Sequence, residues 1–299
     1  MSKRESIARY NLIIKKIRKA PATFQEISNY LKLESELQEY NFNTHIRTFQ
    51  RDLIDIRSIY DIDIRCDRQT QKYYIDNDGN QAAMERILEA YDTFNALSLT
   101  DRLSNFIHFE NRRSMGTENL YGLIHAMQNK FLIHFTYQKF WENEVTQRTV
   151  EPFALKEFRN RWYLVGNDTY KNSIRIFALD RLQNLEISKS KFTPTSPFSV
   201  NEYFQDSFGI ISPDGKKAEK VILSFTPDQG KYIKSLPLHH SQQVITDNQN
   251  EVSISLNLVI TFDFVMELMS YGPEVKVIQP ESLVNELKEN FRKALQNYK

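Results

Sequence analysis

The run Arg161-Trp162-Tyr163-Leu164-Val165-Gly166, followed by Ile174-Arg175-Ile176-Phe177-Ala178-Leu179-Asp180-Arg181-Leu182, sets flat aromatic faces and guanidinium groups on two short apolar stretches. Trp and Tyr offer stacking surface with a polar handle. Arg offers a rigid fork that matches phosphate or carboxylate. Together these are the chemistry of a nucleotide or other anion sensor; a half-buried hairpin with an ordinary aromatic core is the plain alternative. Strand alternation sends Trp162 and Tyr163 to opposite faces, one to pack inside and one to line a groove. Arg175 shares a face with Phe177 and Leu179, so it requires an anionic partner or a water-facing rim. That partner is either a ligand or a surface ion pair with Glu151 or Asp180.

A second constellation lies near the amino terminus. Ile46, Phe49, Leu53 and Ile56 recur at helical spacing from about Asn43 or Thr44 onward and form a core stripe. Arg47, Thr48, Gln50 and Arg51 fall largely off it and face outward. Arg pairs bidentately with guanine and Gln with adenine, and basic side chains on phosphate supply affinity. A solvated polar face is the alternative, and for Arg51 so is a brace to a neighbouring acid. Two extended runs, Ile62–Cys66 and Lys72–Ile75, form a hairpin whose Arg65, Arg68 and Lys72 suit backbone contacts. Cys66 reads as inert packing rather than a redox switch.

The elements that must position these groups follow from periodicity. An amphipathic helix over residues 5–18 ends in Lys15, Lys16, Arg18 and Lys19 and is broken by Pro21. Thr23-Phe24-Gln25-Glu26 reads as a capping box opening a second helix through Leu31, and an acidic stretch from Glu34 to Tyr40 separates it from the third. Gln81 to Leu103 is helical by pattern, a linker that packs between domains or against a second subunit. After a short helix over Leu120–Asn129 the period changes to two. Strands follow at Phe131–Tyr137, 147–157, 161–166, 173–179 and 183–192. From Ala218 onward the pattern reads βαββαβ and closes on a helix over Glu281–Tyr298.

Bulk properties narrow the classes. A chain of 299 residues suggests two or three domains. One cysteine excludes a disulfide framework and a cysteine-rich zinc site. No stretch is apolar for long enough to span a membrane, and no signal peptide is legible, so a cytoplasmic protein is expected. Residues 1–75 hold 14 Lys and Arg against 10 Asp and Glu, a balance compatible with nucleic acid. There is no glycine-rich phosphate loop, no His-Glu-x-x-His and no Gly-x-Ser-x-Gly. His239-His240 reads as structural rather than metal-binding. No enzyme, no metal and no cofactor is expected.

The Trp162-Tyr163-Leu164 triplet and its flanking strands resemble the signature of the WYL domain, a ligand-sensing module of bacterial transcription regulators. Thr48-Phe49-Gln50-Arg51-Asp52-Leu53 is similar to the recognition-helix pattern of the DNA-binding domain that precedes it. Tyr271-Gly272-Pro273-Glu274-Val275 and Pro280-Glu281-Ser282-Leu283 resemble the extension that follows it. The resemblance implies an α+β chain with a winged helix-turn-helix over 1–80, a helical linker over 81–117, an Sm- or SH3-like β-barrel over 118–200 and a ferredoxin-like βαββαβ extension over 201–299. It implies DNA contacts at Arg47, Thr48, Gln50, Arg51, Arg68 and Lys72, and a ligand site at Tyr137, Arg148, Trp162, Tyr163, Arg175 and Arg181. The ligand implied is an anionic nucleotide or oligonucleotide, and the other partners are a double-stranded operator and a second copy of the chain. The role implied is repression of an anti-phage defence operon. Activation, a non-regulatory binder of single-stranded nucleic acid and a nucleotide-processing enzyme are the rival readings.

Overall fold

The computed structural model describes residues 3–38, 40–77, 86–90, 115–140, 144–194, 198–212 and 215–298. The chain divides into two compact units, Met1–Phe109 and Glu110–Lys299. Most of the expected linker helix, Gln81–Leu103, lies outside the described residues, although 86–90 are helical. Among the described residues no helix is long and apolar enough to cross a membrane.

The amino-terminal unit contains helices α1 (Lys3–Lys19), α2 (Phe24–Gln38) and α3 (Ile46–Tyr60) and strands β1 (Ala22–Thr23), β2 (Asp63–Asp67) and β3 (Lys72–Asn77). The strands form one antiparallel sheet in the order β1-β3-β2. The capping box forms as the sequence suggests. The Thr23 N–H donates to Glu26 Oε2 at 2.7 Å, and the Glu26 N–H donates to Thr23 Oγ1 at 3.3 Å. The second helix runs on through the acidic stretch to Gln38, well past Leu31. Ser35 Oγ caps this region, donating to the Leu31 carbonyl at 2.7 Å and accepting from the Phe42 N–H at 2.9 Å. The third helix begins at Ile46, which is 42% exposed and stands outside the core. Its buried stripe is Phe49, Asp52, Ile56 and Tyr60.

An acid belongs to that stripe because α1 supplies its counter-charge. Arg9 Nε and Nη2 donate to the two oxygens of Asp52, both at 2.7 Å, and each side chain is 3% exposed. This bidentate pair ties α3 to α1 across a core of Ile13, Ile14, Ile27, Leu31, Phe42 and Phe49. Asp52 thus takes its partner from another helix, and Arg51 stays exposed.

The second unit opens with α4 (Leu120–Asn129) and five strands: β4 (Phe131–Lys139), β5 (Glu144–Phe158), β6 (Arg161–Asp168), β7 (Ser173–Ala178) and β8 (Leu182–Lys191). Their order is β7-β6-β5-β4-β8, antiparallel throughout. Among the described residues no ladder joins β7 to β8, so the barrel suggested by the sequence is not closed, and β7 is an edge strand. Arg159 and Asn160, both at positive φ, make the tight β5–β6 turn. After the short α5 (Val200–Tyr203) come β9 (Glu219–Phe225), α6 (Pro227–Ser235), β10 (Gln243–Asp247), β11 (Val252–Leu258), α7 (Phe262–Ser270), β12 (Val275–Gln279) and α8 (Glu281–Gln296). This second sheet is antiparallel in the order β10-β11-β9-β12. The result is a mixed α and β chain with three antiparallel sheets among the described residues.

The Arg9–Asp52 pair gives a direct test. Asp52→Ala removes a buried carboxylate that takes two bonds from the Arg9 guanidinium and should destabilise the protein by about 3–5 kcal/mol in chemical denaturation. Arg51→Ala, one residue away but exposed, should stay within about 0.5 kcal/mol of the parent. Equal effects would contradict the assignment.

Candidate ligand cavity and nucleic-acid interface

On α3, Arg47, Thr48, Gln50 and Arg51 are all exposed, on the polar side of a helix held from behind by Phe49, Asp52 and Ile56. The Phe49 ring also packs edge-on against Tyr73 of β3 at 4.9 Å, which fixes the hairpin to the helix. At the hairpin tip, Asp67 closes the turn by accepting from the Gln69 N–H at 3.0 Å and Thr70 Oγ1 at 2.6 Å. Those bonds hold its carboxyl below the usual range. Arg68 and Lys72 flank this turn and are exposed, whereas Arg65 is engaged by Asp63 and Asp76, each at 3.1 Å. Cys66 is exposed rather than packed, against the expectation from its sequence context.

In the second unit a cavity of about 530 Å³ opens along β7. Its walls include Tyr137, Lys139, Arg148, Arg175 and the β7 residues Ser173 to Phe177, with Ile210, Ile211 and Ser212 on the connection to the second sheet. Three of the six residues implied for the ligand thus meet here. Arg175 is exposed and, among the described residues, has no ion pair or hydrogen bond through its side chain. The two acids considered for it are taken: Glu151 accepts from Asn167 at 3.1 Å, and Asp180 pairs with Arg161 at 3.4 Å.

Arg148 differs. Its Nη1 donates to Asp168 Oδ2 at 2.9 Å, and its Nε donates to Thr146 Oγ1 at 3.0 Å. Asp168 is fully buried, and its Oδ1 accepts from the N–H groups of Tyr170 and Lys171 at 3.0 and 3.2 Å. Arg148 therefore braces the β6–β7 turn while its remaining edge faces the cavity.

Tyr137 is buried, its ring edge-on to Phe177 at 5.1 Å. Its hydroxyl accepts from the Ala178 N–H at 3.2 Å. Burial pushes the phenol up, opposed by Arg181 and by this bond. The bond also orients the edge strand. An Ala178 N–H directed at Tyr137 points away from β6, and antiparallel alternation directs the N–H groups of Ile176 and Ile174 to that same open side. Both the N–H and the C=O groups of Ile174 and Ile176 therefore lie on the unpaired edge of β7, to either side of Arg175.

The other three candidates are elsewhere. Trp162 is half-buried against the apolar core of the sheet. Tyr163 is buried, which pushes its hydroxyl up. The Arg181 guanidinium lies over the Tyr137 and Phe140 rings at 5.4 and 5.0 Å. None of the three lines the cavity. Lys139, the β7 main chain and the Ile210-Ile211-Ser212 wall carry no signal in the sequence that would have singled them out. His239 and His240 both direct Nε2 at the Gln205 carbonyl, at 2.9 and 2.7 Å, which gives the pair a structural task.

The five-stranded sheet with its cation-lined edge-strand cavity is thus followed by a second, four-stranded antiparallel sheet. The WYL domain family matches residues 118–187, and the WCX domain family matches residues 217–295. The chain carries a WYL domain followed by a WCX domain. It is similar to Protein PafB of Mycobacterium tuberculosis (strain CDC 1551 / Oshkosh), at 34% identity over 186 residues, covering 59% of this chain and 53% of that protein. Protein PafB of Mycobacterium bovis matches to the same extent. The chain thus spans about half the length of the curated relatives it matches. Among solved structures, proteasome accessory factor B/C (PafBC) of Arthrobacter aurescens is 20% identical with a TM-score of 0.36, covering 96% of this chain and 46% of that one. A CRISPR Cas-related protein is 10% identical with a TM-score of 0.39, covering 62% of this chain and 53% of that one.

The two cavity arginines should separate experimentally. Arg148→Ala strands the buried Asp168 and should lower thermal stability by several kcal/mol, about 3–5 by analogy with other buried pairs. Arg175→Ala should leave stability within about 0.5 kcal/mol while costing an anionic ligand about 1.5–3 kcal/mol of binding. Arg175→Lys should restore only part, because a point charge lacks the bidentate fork. If both alanine variants melt early by the same amount, Arg175 has a structural task.

Proposed function

We propose that the protein is a DNA-binding transcription regulator whose WYL cavity takes an anionic nucleotide or oligonucleotide and thereby adjusts DNA binding. The observation that carries this reading is the exposure of Arg47, Thr48, Gln50 and Arg51 on a helix braced by a buried ion pair. A helix used for packing alone would not need its outward face to be so rich in base-reading side chains. Three helices followed by a hairpin support a winged helix-turn-helix over 1–80. The bent five-stranded sheet supports a partly open Sm-like module over 118–200, and the order β10-β11-β9-β12 supports a ferredoxin-like extension over 201–299. The linker of 81–117 would join them.

The protein acts without catalysis, in the cytoplasm and as a homodimer, since helix-turn-helix readers engage two half-sites by two-fold symmetry. The family resemblance adds repression of an anti-phage defence operon, with activation as the alternative. A promoter-reporter strain lacking the protein separates them: output rises for a repressor and falls for an activator.

Selection from a random duplex library tests the DNA reading. Gln50→Ala should relax base preference at one position of each half-site, a bidentate contact being worth roughly 1–3 kcal/mol. Arg68→Ala or Lys72→Ala should weaken all duplexes alike and flatten the salt dependence by about 0.9 per lost phosphate contact. An unchanged sequence logo and affinity for Gln50→Ala would show that α3 is not the reader.

A further inference from the structure

The outer wall of the ligand cavity does not belong to the WYL sheet. It is the Ile210-Ile211-Ser212 end of a strap, residues 206–212, and the WCX module holds that strap along its length. The Val259 N–H donates to the Asp206 carbonyl at 2.7 Å, and Ser207 bridges to Val259. Thr261 Oγ1 donates to the Phe208 carbonyl at 3.2 Å. Asp263, in the first turn of α7, then accepts from the N–H groups of both Ile210 and Ile211 through one oxygen, Oδ2, at 2.9 and 3.2 Å. Gly209 permits this grip. Its φ is +87°, and a Cβ there would lie 2.4 Å from Asp263 Oδ2. At the far end Tyr203 Oη and Ser212 Oγ share a bond of 2.7 Å.

We propose that Asp263 is a positioning residue for the ligand cavity: it fixes the strap as the cavity's outer wall, so that anion binding at Arg175 depends on the WCX module. The proposal rests on the reading of this cavity as an anion site. Asp263 is not among the residues lining it, and its carboxylate is engaged by two main-chain donors. Charge alone would make a nearby carboxylate unfavourable for an anion, so its removal would tighten binding. Positioning has the opposite sign, because without Asp263 the strap loses both bonds and the wall opposite β7 is released. The dependence also runs in reverse: a ligand that favours the closed wall stabilises the strap's docking on α7.

The test is the affinity of the full-length protein for fluorescein-labelled oligodeoxythymidylate, followed by anisotropy. Asp263→Ala should weaken binding about tenfold, the scale of one charge-assisted bond. Asp263→Asn should stay near the parent, since a carboxamide oxygen accepts the same two N–H bonds without the charge. Gly209→Ala, which crowds the contact from the strap side, should weaken binding as Asp263→Ala does and serves in its place if that variant fails to fold. Folded Asp263→Ala or Gly209→Ala protein with unchanged or tighter affinity would overturn the proposal while leaving the cavity reading intact, provided that Arg175→Ala still loses the probe. Parent protein that does not bind the probe, or an Arg175→Ala variant that binds as well as the parent, would overturn both.

Discussion

A helix proposed to read DNA has to offer its polar face to solvent and still be held rigidly, and the bidentate Arg9–Asp52 pair answers both demands in the amino-terminal unit. Asp52 sits in the middle of the buried stripe of α3, where an apolar residue would pack adequately but would not fix the helix in rotation. Two short bonds to a guanidinium from α1 do fix it. Such pairs contribute little net stability against a well-packed apolar replacement. Their contribution here is orientation: with Asp52 turned inward onto Arg9, Arg47, Thr48, Gln50 and Arg51 have only the outward face left to occupy.

The second unit applies the complementary constraint, an edge left open. Sheet edges are liabilities, since unpaired N–H and C=O groups invite other strands. Here the open edge of β7 is bounded by Tyr137, which caps the Ala178 N–H, and by the strap carrying Ile210 and Ile211. The space between is lined by Lys139, Arg148 and Arg175. Division of labour between the arginines follows from burial. Arg148 is anchored by a fully buried carboxylate, and Arg175 is exposed with its fork available.

Much of this was legible in the residues. Alternation from Phe131 to Tyr137 and the apolar runs around Trp162 and Arg175 locate the strands to within a few residues, because a two-residue period is a local property. The capping box at Thr23 and Glu26 was legible for the same reason. Local reasoning failed where a long-range partner decides. Ile46 has the spacing of a core residue, yet it begins its helix and stays exposed. Arg51 neighbours Asp52 in sequence, but side chains adjacent on a helix do not face each other, and the true partner lies 43 residues away. Trp162 and Tyr163, the most conspicuous residues of the chain, are half-buried and buried respectively and do not line the cavity. Its outer wall comes from Ile210 and Ile211, ordinary apolar residues that matter only because Asp263 holds them there.

If DNA binding in one unit and anion binding in the other are linked, as proposed, the coupling between them is reciprocal. The measurement is the affinity of the full-length protein for its selected duplex, with and without saturating oligodeoxythymidylate, in the parent and in Arg175→Ala. Linkage requires a change of at least about fivefold in the parent, the lower end of ordinary allosteric coupling, and none in the variant. A duplex affinity that the oligonucleotide leaves unaltered in the parent, or alters equally in Arg175→Ala, would contradict it.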